Sequence, residues 1–192
     1  MDHIATAVLV QTMALIGAAF AMGFGAVGPA VGIGISGGFA TMGMSRQPAV
    51  QSELFRAMLI GQAVSSTPPT FALVVAVLLL FQSPLSPTMV EGYAALGAGI
   101  SIGIASFAAG PGSSFPATGA CEAIARQPHL RKPFLVQMLL GQALTQTALI
   151  FALLISMLLL FVPKSPFAGV VDYVATNFSV SPTLLLALLE YQ

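Results

Sequence analysis

Residues 138–161, MLLGQALTQTALIFALLISMLLLF, repeat residues 58–81, MLIGQAVSSTPPTFALVVAVLLLF, at an offset of eighty, without a gap and with 13 of 24 positions identical. A bilayer core of about 30 Å takes about 20 helical residues, so each copy is long enough to cross it. Each carries its strongest polar cluster, Ser65-Ser66-Thr67 or Thr145-Gln146-Thr147, in its first half, near mid-membrane. Whatever the chain folds into must therefore accommodate one helix twice, each time with a polar step that lipid does not satisfy.

The remaining sequence is also poor in charge. Of 192 residues, 57% are hydrophobic and 6% charged, against about 25% charged in soluble domains. An integral membrane protein is expected, with charge-poor spans at roughly 4–45, 57–81, 92–121 and 133–162. No cleavable signal is expected, because Asp2 and His3 stand where a basic region belongs and the apolar stretch runs past a signal's length. Five of the six Lys and Arg residues lie in two loops, Arg46 and Arg56 in one and Arg126, Arg131 and Lys132 in the other. The positive-inside rule makes both loops cytoplasmic and puts the termini and the 82–91 linker outside. Glu53, Arg56, Arg131 and Lys132 read as solvated loop charges. With one cysteine, Cys121, an internal disulfide is excluded. His3 and His129 fall at opposite faces and cannot share a metal. No nucleophile–base pair, phosphate loop or metal cluster is present, so neither enzymatic chemistry nor a cofactor is expected. Nor does anything suggest a nucleic-acid partner.

The spans differ in kind. The first is rich in glycine, including Gly17, Gly23, Gly28 and Gly32, and the third matches three of these with Gly97, Gly103 and Gly112. Small residues let membrane helices approach closely. The two spans read either as one tightly packed layer or as a generic small-residue interface in a four-helix bundle. Spans two and four, rich in Leu, Val, Ile and Phe, would form an outer layer facing lipid. Pro68 and Pro69 should break span two near Val64 and Ser65, whereas span four, with Ala148 and Leu149 there, should stay straight. The tail, 164–192, is read as an interfacial helix rather than a fifth span.

The most specific words lie in the loops: Ser45-Arg46-Gln47-Pro48 and Ala125-Arg126-Gln127-Pro128, each followed about fifteen residues later by Gly-Gln-Ala. Here the chain resembles the c subunit of F-type rotary ATP synthases, in a duplicated double-hairpin form. The resemblance covers about 25–162. It implies an all-α membrane protein of two tandem hairpins, 1–82 and 83–163, plus the 164–192 extension, assembled with other copies into a two-layered ring in lipid. It also implies a stator a subunit and central stalk subunits as partners, the stalk meeting Arg46, Gln47, Pro48, Arg126, Gln127 and Pro128. A bacterial inner membrane is the implied location. Glu122 aligns with the family's common glutamate before the loop and reads as a loop contact.

In that family an outer-helix carboxylate, twenty residues after the loop arginine, carries the ion. The same count reaches Ser66 from Arg46 and Gln146 from Arg126, and neither ionises. The resemblance places the rest of each ion site at Val64, Ser65 and Thr67 in one hairpin and Leu144, Thr145, Thr147 and Ser113 in the other, with Ile33 and Ser113 replacing a first-helix glutamine. Without a carboxylate a bound cation is uncompensated in low dielectric. Hydrogen bonding between helices, worth about 0.6–2 kcal/mol per group, is the alternative role for these polar residues. The expected function is a rotor-ring subunit lacking its own H+ or Na+ carboxylate, either structural or mixed with carboxylate-bearing c subunits. The alternatives are a non-conducting ring or pore scaffold and, last, a small-solute transporter.

Overall fold

The computed structural model describes residues 2–81 and 89–161. They form helices α1 (Asp2–Arg46), α2 (Gln51–Ser65), α3 (Thr67–Phe81), α4 (Met89–Arg126) and α5 (Arg131–Phe161), with 3-10 turns at Pro48–Val50 and Pro128–Leu130. Strands are absent among the described residues. The chain gives four apolar spans, Ile4–Arg46, Pro48–Phe81, Val90–Arg126 and Pro128–Phe161, as an integral membrane protein requires. The tail from 162 onward, and with it the expected interfacial helix, lies outside the described residues.

Helices α1 and α4 run beyond the charge-poor windows. At 1.5 Å per residue, the 45 residues of α1 reach roughly 67 Å, about twice a bilayer core. A run of apolar residues ends where charge begins, but a helix need not. Glu122 and Arg126, one turn apart, join in an ion pair of 3.0 Å on the last turns of α4.

Each basic loop turns the chain sharply. Gln47 and Gln127 have φ −135° with ψ 81° and 79°, the extended geometry forced on a residue before proline. Pro48 and Pro128 then open the 3-10 turns, closed by Val50 N–H to Gln47 O at 3.2 Å and Leu130 N–H to Gln127 O at 3.1 Å. Repeated words thus make repeated turns, and α1 and α4 each return antiparallel into their outer helices. Arg131 and Glu53, expected as solvated loop charges, stay partly exposed and also form an ion pair that ties one loop to the other. The sequence separates these charges widely, while the fold brings the two loops side by side.

Helices α1 and α4 lie against each other in parallel and nearly in repeat register. A Cβ on Gly17 would stand 2.8 Å from Ala95 O, one on Gly103 2.8 Å from Phe20 O, and one on Gly32 2.5 Å from Gly110 O. At Gly28 it would strike the Phe107 backbone, and at Gly99 and Gly110 the backbones of Gly17 and Gly28. The small-residue stripe is thus a backbone-to-backbone seam, the tightly packed layer of the two expected alternatives. Lipid offers helices no hydrophobic gain on association, so such close packing supplies much of the attraction. Outside the seam, Ala72 of α3 and Ser106 of α4 close around Gly25, and Ala72, Val75 and Leu79 share an apolar core with Ala98, Ile102 and Leu149.

The double proline acts where expected. α2 ends at Ser65, Ser66 adopts a turn, and α3 starts at Thr67, whereas α5 is unbroken over the corresponding stretch. Yet α1 stays helical through Pro29, as α4 does through Pro111 and Pro116. Pro29 frees the carbonyl four residues before it, Gly25 O, which accepts from Ser106 Oγ at 2.8 Å.

If the seam depends on absent side chains, Gly110→Ala should destabilise the detergent-solubilised chain by about 1–3 kcal/mol, the usual cost of overpacking. Gly38→Ala, where a Cβ meets nothing within 4 Å, should leave stability unchanged or raise it by up to about 1 kcal/mol. Denaturant-induced loss of helical circular dichroism reads both.

Candidate functional site

Four polar residues at mid-span, Ser65, Ser113, Gln142 and Gln146, converge at one place, between α2, α4 and α5. Gln142 and Gln146 stand one helical turn apart and so share a face of α5. Gln142 is fully buried. Its amide nitrogen donates to Gly61 O at 3.0 Å and Ser113 O at 3.1 Å, using both N–H groups, with Ser65 Oγ at 3.5 Å. Gln146 Nε2 donates to Val64 O at 3.3 Å. Pro68 deprives that carbonyl of its helical N–H partner, and the glutamine joins Thr67 Oγ1, at 2.9 Å, in replacing it. Ser65 Oγ and Ser113 Oγ, both buried, are hydrogen-bonded at 2.9 Å, and Ser113 also donates to Gly110 O at 2.9 Å. Oε1 of Gln142 and of Gln146 are buried without a protein donor. For Gln142 the amide cannot flip without turning its oxygen toward two carbonyls.

Several expected site residues lie elsewhere. Ser66 is exposed, its hydroxyl donating to Ala63 O at 2.7 Å. Thr67 and Thr147 are exposed and bond back to Val64 O at 2.9 Å and Leu144 O at 2.7 Å. Leu144 is 73% exposed. Thr145 bonds Gln142 O at 2.8 Å and rests its methyl on Gly112. The matched triplets therefore have unequal surroundings: Ser65 is buried against the second hairpin, while Thr145 meets only its own.

Gln142 is not among the site residues that the resemblance implies. Its signal in the sequence is the Gly-Gln-Ala word itself, which puts Gln62 at the same place in the first hairpin. Gln62 Nε2 lies 3.4 Å from Ile33 O, the counterpart of the Gln142–Ser113 bond. All these groups are neutral, and no three His, Cys, Asp or Glu side chains gather among the described residues. The cluster can hold helices together and fix an amide. It cannot give up or take a proton near neutral pH.

At the loop end, Arg46, Gln47, Glu122 and Arg126 line one cleft of about 160 Å³, walled by Phe39 and Met42. Both loop arginines therefore meet on one rim, with Glu122 paired to the second.

The profile of the ATP synthase c-subunit family matches this chain twice, at 16–79 and 96–159, together two thirds of its length. The chain is similar to the ATP synthase c subunit of Alkaliphilus oremlandii, 41% identical over 85 residues that make up 44% of this chain and 96% of that protein. It is also similar to an ATP synthase c subunit of Cereibacter sphaeroides, 40% identical over 77 residues, 40% of this chain and 93% of the relative. A third relative, the ATP synthase c subunit of Petrotoga mobilis, is 46% identical over 70 residues, 36% of this chain and 73% of that protein.

Removing the Gln142 amide should loosen the contact between hairpins. Gln142→Leu is expected to cost about 0.6–2 kcal/mol, the range for a hydrogen-bonding group between membrane helices. Thr147→Val, which loses only a bond within one helix, should cost less than about 0.5 kcal/mol, as surface changes do. Denaturant titration of the two variants in one detergent makes the comparison.

Proposed function

The chain belongs to the ATP synthase c-subunit family, and from that premise we propose that it serves as a rotor-ring subunit that occupies a place in the ring without carrying an ion. The observation that carries this reading is the Gln146 amide. At the position where the resemblance calls for an ion-carrying carboxylate, a permanently neutral side chain donates to Val64 O of the other hairpin. Rotary transport needs a group that is charged beside the stator and neutral in lipid. An amide is only the latter. It keeps the hydrogen-bonded posture of a protonated carboxyl while fixing the site in one state.

Ser66 supports the same reading for the first hairpin, since it has no ionisable group and its hydroxyl is engaged with its own helix. A cation at Gln146 would find amide, hydroxyl and carbonyl oxygens but no balancing charge, which is very costly in lipid. The partners are copies of this chain, carboxylate-bearing c subunits in a mixed ring, a stator a subunit, and central stalk subunits reached through the cytoplasmic Arg-Gln-Pro loops. Arg46 and Arg126 on a common rim suit that contact. Transport, where it occurs, then belongs to the other c subunits of the ring.

A homomeric ring reconstituted in liposomes with its stator should pass no protons and should resist dicyclohexylcarbodiimide, which modifies a protonated carboxyl. Gln146→Glu should restore labelling, while Ser66→Glu should label less, because the helix break at Ser66 leaves that carboxyl poorly held. Stator-dependent proton flux through the unmodified homomeric ring would overturn the proposal.

A further inference from the structure

The cleft at the loop end is built from unlike halves. On α1 it takes Phe39, Met42 and Arg46, which stand at i, i+3 and i+7 and so share one face of the helix. Their counterparts eighty residues on are Gly119, Glu122 and Arg126. Glu122 pairs with Arg126 at 3.0 Å. Met42 stands where that carboxylate would be, and the Arg46 side chain has neither an ion pair nor a hydrogen bond among the described residues. Two guanidinium groups therefore share a cleft of about 160 Å³ with a single carboxylate, which leaves one positive charge unbalanced.

Phe39, Met42 and Arg46 are all exposed. At a rise of 1.5 Å per residue, Met42 lies roughly 6 Å and Phe39 roughly 10 Å from Arg46 toward the middle of the span. An apolar surface thus begins just beneath a cationic one, at the residue where the span Ile4–Arg46 ends and hydrocarbon gives way to headgroups. Inorganic phosphate has no use for the apolar stretch, and an acidic segment of a soluble partner would have to enter the membrane to cover it. A phospholipid joins a phosphate to apolar chains in this order.

We propose that the cleft binds an anionic phospholipid, its phosphate held by Arg46 with Arg126 and one acyl chain laid over Met42 and Phe39. The site goes beyond the ring reading and does not rest on it, because all its residues belong to one chain. Arginine suits the role, since its planar fork gives two parallel hydrogen bonds to phosphate oxygens and stays charged. Glu122 holds Arg126 in part, so Arg46 is the principal contact. The unbalanced charge selects the headgroup: phosphatidylcholine brings an ammonium group of its own, whereas phosphatidylglycerol brings only the anion. The second hairpin does not repeat the arrangement, because Gly119 offers no apolar wall and Glu122 already engages its arginine. Pro48, Ala49, Gln127 and His129, exposed on the loops, remain for the stalk.

The test uses the detergent-purified full-length chain, titrated with phosphatidylglycerol or with phosphatidylcholine of the same acyl chains and followed by native mass spectrometry. One phosphatidylglycerol per chain should be retained in preference to phosphatidylcholine. Arg46→Gln should weaken that retention about tenfold or more, as the loss of a charge-assisted hydrogen bond does. Met42→Glu, which gives Arg46 the partner that Arg126 has, should do the same with helix content unchanged, whereas Arg46→Lys should keep most of it. Arg56→Gln removes an exposed arginine outside the cleft and should change nothing. Equal retention of the two lipids, or an Arg56→Gln loss as large as that of Arg46→Gln, would overturn the proposal. Displacement of the lipid by an equal concentration of glycerol phosphate would reduce the cleft to a site for free anions and overturn it too. A chain that retains no phosphatidylglycerol, yet loses a purified central stalk on Arg46→Gln, would assign the cleft to a protein partner instead.

Discussion

The backbone seam between α1 and α4 is the constraint on which the rest depends. In lipid, apolar side chains gain little by leaving one apolar environment for another, so helices stay together only where packing or hydrogen bonding exceeds what lipid offers. At Gly28 and Gly110 the approach is so close that one added carbon meets the other helix's backbone. That closeness sets the parallel register, and the register places both outer helices. Only then do α2 and α5 bring Gly61, Ser65 and Gln142 within hydrogen-bonding range.

Proline creates the second layer of order. Each proline inside a membrane helix leaves a carbonyl without its N–H, and lipid cannot supply one. Two such carbonyls accept bonds from across the hairpin boundary, Gly25 O from Ser106 and Val64 O from Gln146, the latter beside a bond from its own Thr67. The freed carbonyls thus become attachment points. Ser156 adds a further bond between helices, to Ala98 O at 2.9 Å.

These bonds bear on what the molecule does. A carboxylate at Gln146 would couple the joint between hairpins to proton concentration, whereas an amide makes the same joint independent of it. In our reading the chain has retained the rotor architecture and exchanged a mobile charge for a fixed contact. The two hairpins are unequal in this respect: Ser65 is buried where they meet, while Thr145 bonds only within its own helix.

Much of this was legible in the sequence because it rests on local chemistry. The offset of eighty, the four spans, the helix break at Pro68 and the paired turns at Gln47 and Gln127 follow from hydrophobicity, backbone sterics and repetition. The lack of an ionisable group at Ser66 and Gln146 is likewise a fact of side-chain type. What the order of residues does not reveal is which copy of a repeated group is buried. Ser65 and Thr145 occupy equivalent positions, yet one is enclosed by the second hairpin and the other meets only its own. Glu53 and Arg131 form a pair because two loops come side by side. Gln142 is the same residue type as Gln62 in a different environment, since only one of them lies at the joint inside the chain. Those outcomes were decided by the tertiary structure, because burial and pairing depend on what stands opposite a residue, and a repeat has two ends with only one of them covered.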